Sequence, residues 1–480
     1  MDRIKLAGRI LGPALFLALL VLPELGSLQG DAKRVAAVAL WMAAWWVTEA
    51  VPLAATSLLP LVLFPLLGAR GVLDVPPSYL HPMVFLFLGG FVLALCVEHS
   101  GLHRRLALAV LWRVGGGPRR LVWGFLLISA GLSMWLSNTA TTLMLLPIGA
   151  AVAARVAEGR ARTRLFLAVA YGASIGGIGT LIGTPPNIVL AGKAADLVEG
   201  LAPLTFGGWM LFGIPVVLCL LPLAGLLLGR GLAGGAGDLS AVEAQRAALG
   251  PTGPAERRAA ALFGLTALAW ITRSGFDFGE VSVPGWSALF DNPKTAHDAI
   301  PAVAAAVAAL LIPAGSGGRR FLIAPREIVR GVPWGILLLF GGGFALADGV
   351  AASGLDDWLA AQLHGLKGAP TVLVVLAVCL LTTAATEFTS NTAMASLLLP
   401  VMAALSQSLG VPAYLLLVPA TVSASCAFML PVATPPNAIV IGSGHVSPRD
   451  LFREGLPMNL VGAAVITALT LTLGRWVLPG

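Results

Sequence analysis

Apolar stretches of membrane-spanning length recur along almost the whole chain, and they constrain its fold more than any other feature. A predominantly apolar run of about 20 residues crosses a bilayer as a helix, and this chain has room for roughly ten such runs with their connections. From Leu121 to Ala154 there is no Asp, Glu, Lys or Arg at all. Over the 480 residues, 57% are hydrophobic and only 11% charged, whereas an ordinary globular protein is about 25% charged. A water-soluble fold is excluded, and an all-α polytopic membrane protein is expected. The 30 Lys and Arg against 23 Asp and Glu then fit basic cytoplasmic loops rather than a nucleic-acid surface. Cys96, Cys219, Cys379 and Cys426 lie in apolar stretches without metal-like spacing and read as buried free thiols. Arg3, Lys5 and Arg9 precede the apolar run Ile10 to Leu28 as in a secretory signal. That run is longer than a typical h-region and lacks an A-x-A site, so a retained first helix is expected.

An internal repeat organises the chain. Gly89-Gly90-Phe91 returns as Gly342-Gly343-Phe344, Ser100-Gly101-Leu102 as Ser353-Gly354-Leu355, Ser137-Asn138-Thr139 as Ser390-Asn391-Thr392 and Pro147 as Pro400, each 253 positions on. Thr184-Pro185-Pro186-Asn187 returns as Thr434-Pro435-Pro436-Asn437, displaced by 250. Charge sets the relative orientation of the copies. His103, Arg104 and Arg105 follow the first Ser-Gly-Leu, with Arg113, Arg119 and Arg120 beyond, whereas Asp356 and Asp357 follow the second. The positive-inside rule puts the first connection in the cytoplasm and the second outside. The repeats are therefore expected to be inverted, as in many secondary transporters.

The expected spans are 10 to 28, 35 to 51, 54 to 67, 83 to 98, 165 to 195, 205 to 229, 258 to 274, 298 to 314, 333 to 350, 412 to 442 and 457 to 477. That makes about eleven transmembrane helices, N-terminus cytoplasmic and C-terminus outside, in the plasma membrane. Arg155, Arg160, Arg162, Arg164, Arg319, Arg320, Arg326 and Arg330 fall inside, and Asp277, Glu280, Asp291 and Asp298 outside; Lys33 and Arg34 dissent. Two apolar regions fit no crossing. In 121–154 the Ser-Asn-Thr triplet leaves arms of about 15 residues, each about 23 Å long and short of a core about 30 Å thick. Re-entrant hairpins at 121–154 and 370–407 are expected, entering from opposite sides. The domains follow: 1–82 as N-terminal scaffold helices, 83–230 as the first repeat, 231–332 as cytoplasmic linker and scaffold helices, and 333–480 as the second repeat. Tracts 230–258 and 315–320 read as flexible connections.

The hairpin tips and the Pro pairs carry the chemistry. Ser, Asn and Thr at the start of a helix meet free N–H groups and the positive dipole end, which attract anions. The blander reading is that they only cap the returning helix; their recurrence in both copies argues for a ligand site. A Pro pair removes backbone hydrogen bonds, so broken helices are expected at 165–195 and 412–442, near Thr184 and Thr434. Broken helices at matching places in two halves point to a substrate and ion site. Carbonyls freed there can hold sodium without a carboxylate.

The segments SMWLSNTATTLMLLPIG, TEFTSNTAMASLLLP, GTLIGTPPNIVL and LPVATPPNAIVIGSGHVS resemble the signature segments of the divalent anion/sodium symporter family, over most of the chain from about residue 35 onward. The resemblance implies a homodimer whose transport domains slide, elevator-like, against dimerised scaffolds. It implies that Ser137, Asn138, Thr139, Ser390, Asn391 and Thr392 contact substrate carboxylates, with Thr184, Thr434 and Pro435 nearby. One sodium would be held by Ser133, Ser137, Asn138 and Gly183, and the other by Thr386, Thr389, Asn391, Ala433 and Pro435. Sodium is then the co-transported ion, no organic cofactor is implied, and the substrate is a small dicarboxylate of the succinate, fumarate and malate class. Some members of the family exchange dicarboxylates, citrate or tartrate without sodium, which is the alternative reading.

Glu387, three positions before Ser390, reads either as an ion-coupling group or as a structural hydrogen-bonding one. Asp348 and Glu98 lie near helix ends, where a structural reading is stronger, and the six histidines are scattered and suggest no metal site. The paired glycines read as sites of close helix packing. A passive anion channel would use similar tips but conduct without dependence on a sodium gradient. A membrane hydrolase is disfavoured: no HExxH motif occurs, and no His lies in sequence reach of the Ser-Asn-Thr serines.

Overall fold

The structure is a computed structural model and describes residues 2–23, 28–156, 159–232, 239–277, 282–292, 295–315 and 320–478. Glu280 and Arg319 lie outside the described residues, as do the side chains of Arg155 and Asp277 and parts of the tracts 230–258 and 315–320. The chain opens with α1 (Asp2–Val21) and α2 (Gly30–Thr48), followed by the short α3 (Leu53–Thr56), α4 (Leu59–Leu67) and α5 (Pro76–Tyr79). Lys33 caps the end of α1 through the carbonyls of Leu20 and Leu22 (3.2 and 2.6 Å), and Arg34 pairs with Asp31 at 2.8 Å. These two cations, which dissent from the charge rule, are thus engaged at helix ends.

The first copy then runs α6 (Pro82–Ser100), α7 (Leu102–Val114), α8 (Pro118–Ser133), α9 (Asn138–Val156), α10 (Arg160–Gly177), α11 (Pro185–Leu197) and α12 (Phe206–Gly229). Between the copies lie α13 (Ser240–Ala248), α14 (Pro254–Thr272), a two-residue β-ladder of Phe276–Asp277 with Ser282–Val283, α15 (Ala299–Leu311) and α16 (Pro325–Gly331). The second copy repeats the order as α17 (Trp334–Ser353), α18 (Leu355–Gln362), α19 (Thr371–Thr386), α20 (Asn391–Leu409), α21 (Tyr414–Ala424), α22 (Pro435–Gly442) and α23 (Pro448–Leu471), before the short α24 (Gly474–Val477). Each expected span contains helix among the described residues, with 24–27 of the first outside them and 165–195 and 412–442 interrupted at 178–184 and 425–434. Among the described residues, six helices are long and apolar enough to cross a membrane, α20 included. The molecule is a nearly all-helical polytopic membrane fold with two broken helices.

The repeated landmarks are local devices. Gly101 and Gly354 take φ of 81° and 72°, the left-handed conformation that ends α6 and α17 and turns the chain into α7 and α18. Those two helices, and α13 within 230–258, occupy stretches expected to be connections. A Cβ on Gly89 would fall 2.4 Å from the Ala302 carbonyl oxygen, and one on Gly342 2.4 Å from that of Ser57, so each paired glycine admits a neighbouring backbone. The hairpin arms match in both copies, 16 residues going in and 19 returning. The returning arms are longer than the expected length of about 15 residues, and Pro147 and Pro400 sit inside them. One apolar core runs through both copies, and a second joins α1, α2 and α4 to α17 through Val35, Met42, Phe64 and Leu346.

Candidate functional site

Each Thr-Pro-Pro-Asn starts a helix as well as breaking one. Thr184 and Thr434 are extended N-cap residues with φ of −143° and −142°, and the following prolines occupy the first helical turn, where a missing N–H costs nothing. Thr434 also accepts from the Asn437 N–H at 3.4 Å. The asparagine closing each motif holds the break open. Asn187 Nδ2 donates to the carbonyls of Gly177, Ile178 and Thr180 (3.3, 3.3 and 2.8 Å), and Asn437 Nδ2 to those of Ala427 and Leu430 (3.1 and 3.0 Å). Both are fully buried clamps on carbonyls of the unwound backbone; of these, Ile178 also accepts from Trp209 Nε1 and Leu430 from the Ala433 N–H. Sequence reasoning passed over them, although their recurrence within the two motifs was the available signal.

The two tips and the two breaks meet at one cavity of about 430 Å³. Its lining includes Ser137, Asn138 and Thr139 from one tip, Ser390, Asn391 and Thr392 from the other, Gly183 to Pro185 from the first break and Ala433 to Pro436 from the second. The sequence-expected substrate residues Thr184, Thr434 and Pro435 are therefore brought together with both triplets. Helices α9, α11, α20 and α22 all begin at this cavity, so four positive dipole ends face it. Among the described lining residues there is no Lys or Arg, and Glu49 is the one carboxylate. Ser137 caps its helix by accepting from Ala140 N at 3.2 Å, whereas Ser390 makes no side-chain cap. The first-turn N–H groups of α20 are left without helical partners.

Behind each tip lies a cluster of neutral oxygens. Ser133 Oγ is 2.6 Å from the Asn138 amide, whose nitrogen the surrounding carbonyls orient toward Gly183 and Ala173 oxygens at 3.2 Å each. At the matching place Thr386 Oγ1 lies 2.8 Å from both Asn391 Oδ1 and the Ala424 carbonyl, which share its single proton. This leaves Asn391 Nδ2 without a protein partner among the described residues. Ser133 and Thr386 are fully buried, and hydroxyl, amide and carbonyl oxygens form the donor set that hard cations take. Ser133, Asn138 and Gly183 are thus brought together, as are Thr386 and Asn391, and Ala433 and Pro435 line the same cavity as Asn391. The Thr389 hydroxyl instead turns back to the Ala385 carbonyl at 3.1 Å.

Asp348, near a helix end, is engaged in a buried ion pair: Lys193 Nζ lies 2.6 Å from Asp348 Oδ1 and 2.9 Å from Asp196 Oδ2. Glu98 lines a second cavity of about 610 Å³ that shares Phe91, Ser137, Thr139 and Ile336 with the first. Gly172-Ala173-Ser174-Ile175-Gly176 has the G-x-S-x-G spacing of a hydrolase nucleophile. It lies within α10 with Ser174 buried, which is not the strand-to-helix elbow such a nucleophile needs. Cys96, Cys379 and Cys426 are buried free thiols as expected, and Cys219 is half-buried.

The chain is 38% identical to the sodium-dependent dicarboxylate transporter SdcS of Staphylococcus saprophyticus over 481 residues, covering 96% of this chain and 90% of that protein. It is likewise 38% identical to SdcS of Staphylococcus aureus strain USA300, with the same coverage. The fold is similar to the crystal structure of the YdaH transporter of Alcanivorax borkumensis, with a TM-score of 0.56 at 18% identity, covering 84% of this chain and 89% of that one. The family model described as the sodium:sulfate symporter transmembrane region matches residues 4–479. A match over essentially the whole chain, joined to full-length relatives that are transporters, makes this protein a member of the sodium:sulfate symporter family and a multi-pass membrane protein rather than an enzyme.

Proposed function

We propose that the protein couples sodium entry to the uptake of small dicarboxylate dianions of the succinate, fumarate and malate class. The observation that carries this reading is a cavity faced by four helix N-termini and two Ser-Asn-Thr tips yet lined by no Lys or Arg. Dipole ends contribute up to about 2 kcal/mol each, and bound cations supply the positive charge a dianion still needs. The Pro pairs fit the same division: the first two residues of α11 and α22 offer no N–H, and Gly183 and Ala433 line the cavity just before them, while the tips keep donors for the anion. The names of the Staphylococcus relatives support the choice of ion and substrate class. Carrying a dianion alone into a cell that is negative inside costs about 4.6 kcal/mol per 100 mV, which two sodium ions cancel.

In this reading 1–82 and 231–332 form a scaffold that dimerises in the plasma membrane, N-terminus inside and C-terminus outside. The two inverted copies carry the cavity across it as an elevator. The test is uptake of labelled succinate, citrate and sulfate into proteoliposomes with sodium or choline outside. Succinate uptake should require sodium, and succinate and sodium should strengthen each other's binding by the same factor. Uptake and binding indifferent to sodium would favour exchange over symport.

A further inference from the structure

The two helix breaks differ, and the difference traces to one carboxylate. α10 ends at Gly177, which the displacement of 250 between the breaks would match with Ala427, but α21 ends three residues earlier, at Ala424. In the first copy the N–H groups of Ile178 and Gly179 bond the carbonyls of Ile175 and Gly176 at 3.1 and 2.9 Å. Their counterparts in the second copy, Phe428 and Met429, donate to Glu387 Oε1 at 2.8 and 2.9 Å, and Leu430 donates to Oε2 at 2.8 Å. Asn459 Nδ2 adds a fourth bond, to Oε1 at 2.7 Å. Glu387 is fully buried, and among the described residues its oxygens meet donors alone, the surroundings of an ionised carboxylate. The first copy has Met134 at the matching place, and there the Met134 carbonyl accepts from the Thr180 hydroxyl.

By taking these N–H groups, Glu387 relieves the Ser425 and Cys426 carbonyls of the partners that Ile175 and Gly176 keep. Those carbonyls adjoin Ala424, whose oxygen shares the Thr386 hydroxyl with Asn391. We propose that Glu387 is the positioning residue of the second cation site: it holds the backbone of 425–430 unwound beside Thr386 and Asn391. Its negative charge makes this the tighter of the two sites for a monovalent cation. The inference rests on the sodium-coupled reading above and adds to it that the two sodium ions are not equivalent.

Glu387→Gln puts an amide NH₂ where one carboxylate oxygen now accepts, against at least one backbone N–H. Two measurements on purified full-length protein test the proposal without transport. In hydrogen exchange, peptides spanning 425–434 should lose protection in Glu387→Gln. In sodium titrations followed by tryptophan fluorescence and thermal stabilisation, the midpoint should rise by roughly tenfold or more, with the Hill coefficient falling toward one. Asn459→Ala, which removes one donor but keeps the charge, should move the midpoint the same way by less, and serves if Glu387→Gln does not fold. A wild type indifferent to sodium removes the coupling reading itself. A wild type that responds, with variants that titrate as it does or keep their amide protection, removes this inference alone.

Discussion

Replacing Asp348 by Asn isolates the energetic role of the ion pair between α11 and α17. The Lys193 side chain is 4% exposed and that of Asp348 24%. Lys193 also lies 5.3 Å from the centre of the Phe344 ring, and Asp348 accepts from Ser78 Oγ at 2.5 Å. Breaking a buried pair by removing one partner costs about 3–5 kcal/mol. Here Asp196, 53% exposed, remains with the ammonium, and water reaches Asp348, so Asp348→Asn should cost about 1–3 kcal/mol. Lys193→Met should cost about 1–2 kcal/mol, because the two aspartates it strands, Asp348 and Asp196, are both better solvated than the ammonium. The double variant buries no unpaired charge and should lie within about 1 kcal/mol of the wild type. The assay is apparent unfolding temperature of the four proteins in one detergent. For a chain of this size each kcal/mol moves the midpoint by ~2 °C, so Asp348→Asn should fall by ~2–6 °C and the double variant recover most of it. A double variant that loses the sum of the two single losses would show that the groups do not couple and refute the reasoning.

Asn138→Ala and Asn391→Ala should each lower transport by roughly tenfold or more at near-normal expression and dimerisation, since a missing donor leaves a carboxylate underpaired; wild-type rates in both would reduce the tips to helix caps. Single cysteines replacing Arg113 and Gly365, both exposed and at matching ends of the two copies, should label from opposite faces of the membrane, and labelling from one face would remove the inverted topology. A Cβ at Gly176 would fall 2.2 Å from the Ala130 carbonyl oxygen, while one at Gly131 meets open space. Gly176→Ala should therefore destabilise by about 1–3 kcal/mol and Gly131→Ala should be neutral or stabilising by up to about 1 kcal/mol, as melting of the two proteins will tell.

What could be read from the sequence was whatever a few neighbouring residues settle among themselves. An apolar run must be helical in a bilayer because its own backbone groups have no other partner there. Gly101 and Gly354 end helices because a left-handed residue is needed at that spot, and Thr-Pro-Pro-Asn starts one because an extended threonine precedes prolines that fit the first turn. Repetition of these short devices at spacings of 253 and 250 marked both tips and both breaks, and the structure brings the two tips and two breaks to one cavity. Charge counting was weaker: Lys33 and Arg34 dissented from the expected orientation, and the structure engages them with helix-end carbonyls and Asp31. It also left α7, α13 and α18 unseen, since short helices beside the membrane carry no long apolar signal. Tertiary structure alone decided what the buried ionisable groups do. Glu387 finds its backbone donors 41 to 43 residues away and its amide donor 72 away, and Lys193 finds Asp348 across 155 residues. No local pattern encodes such partners, because a buried charge takes its role from whichever donors the packed helices bring within 3 Å of it.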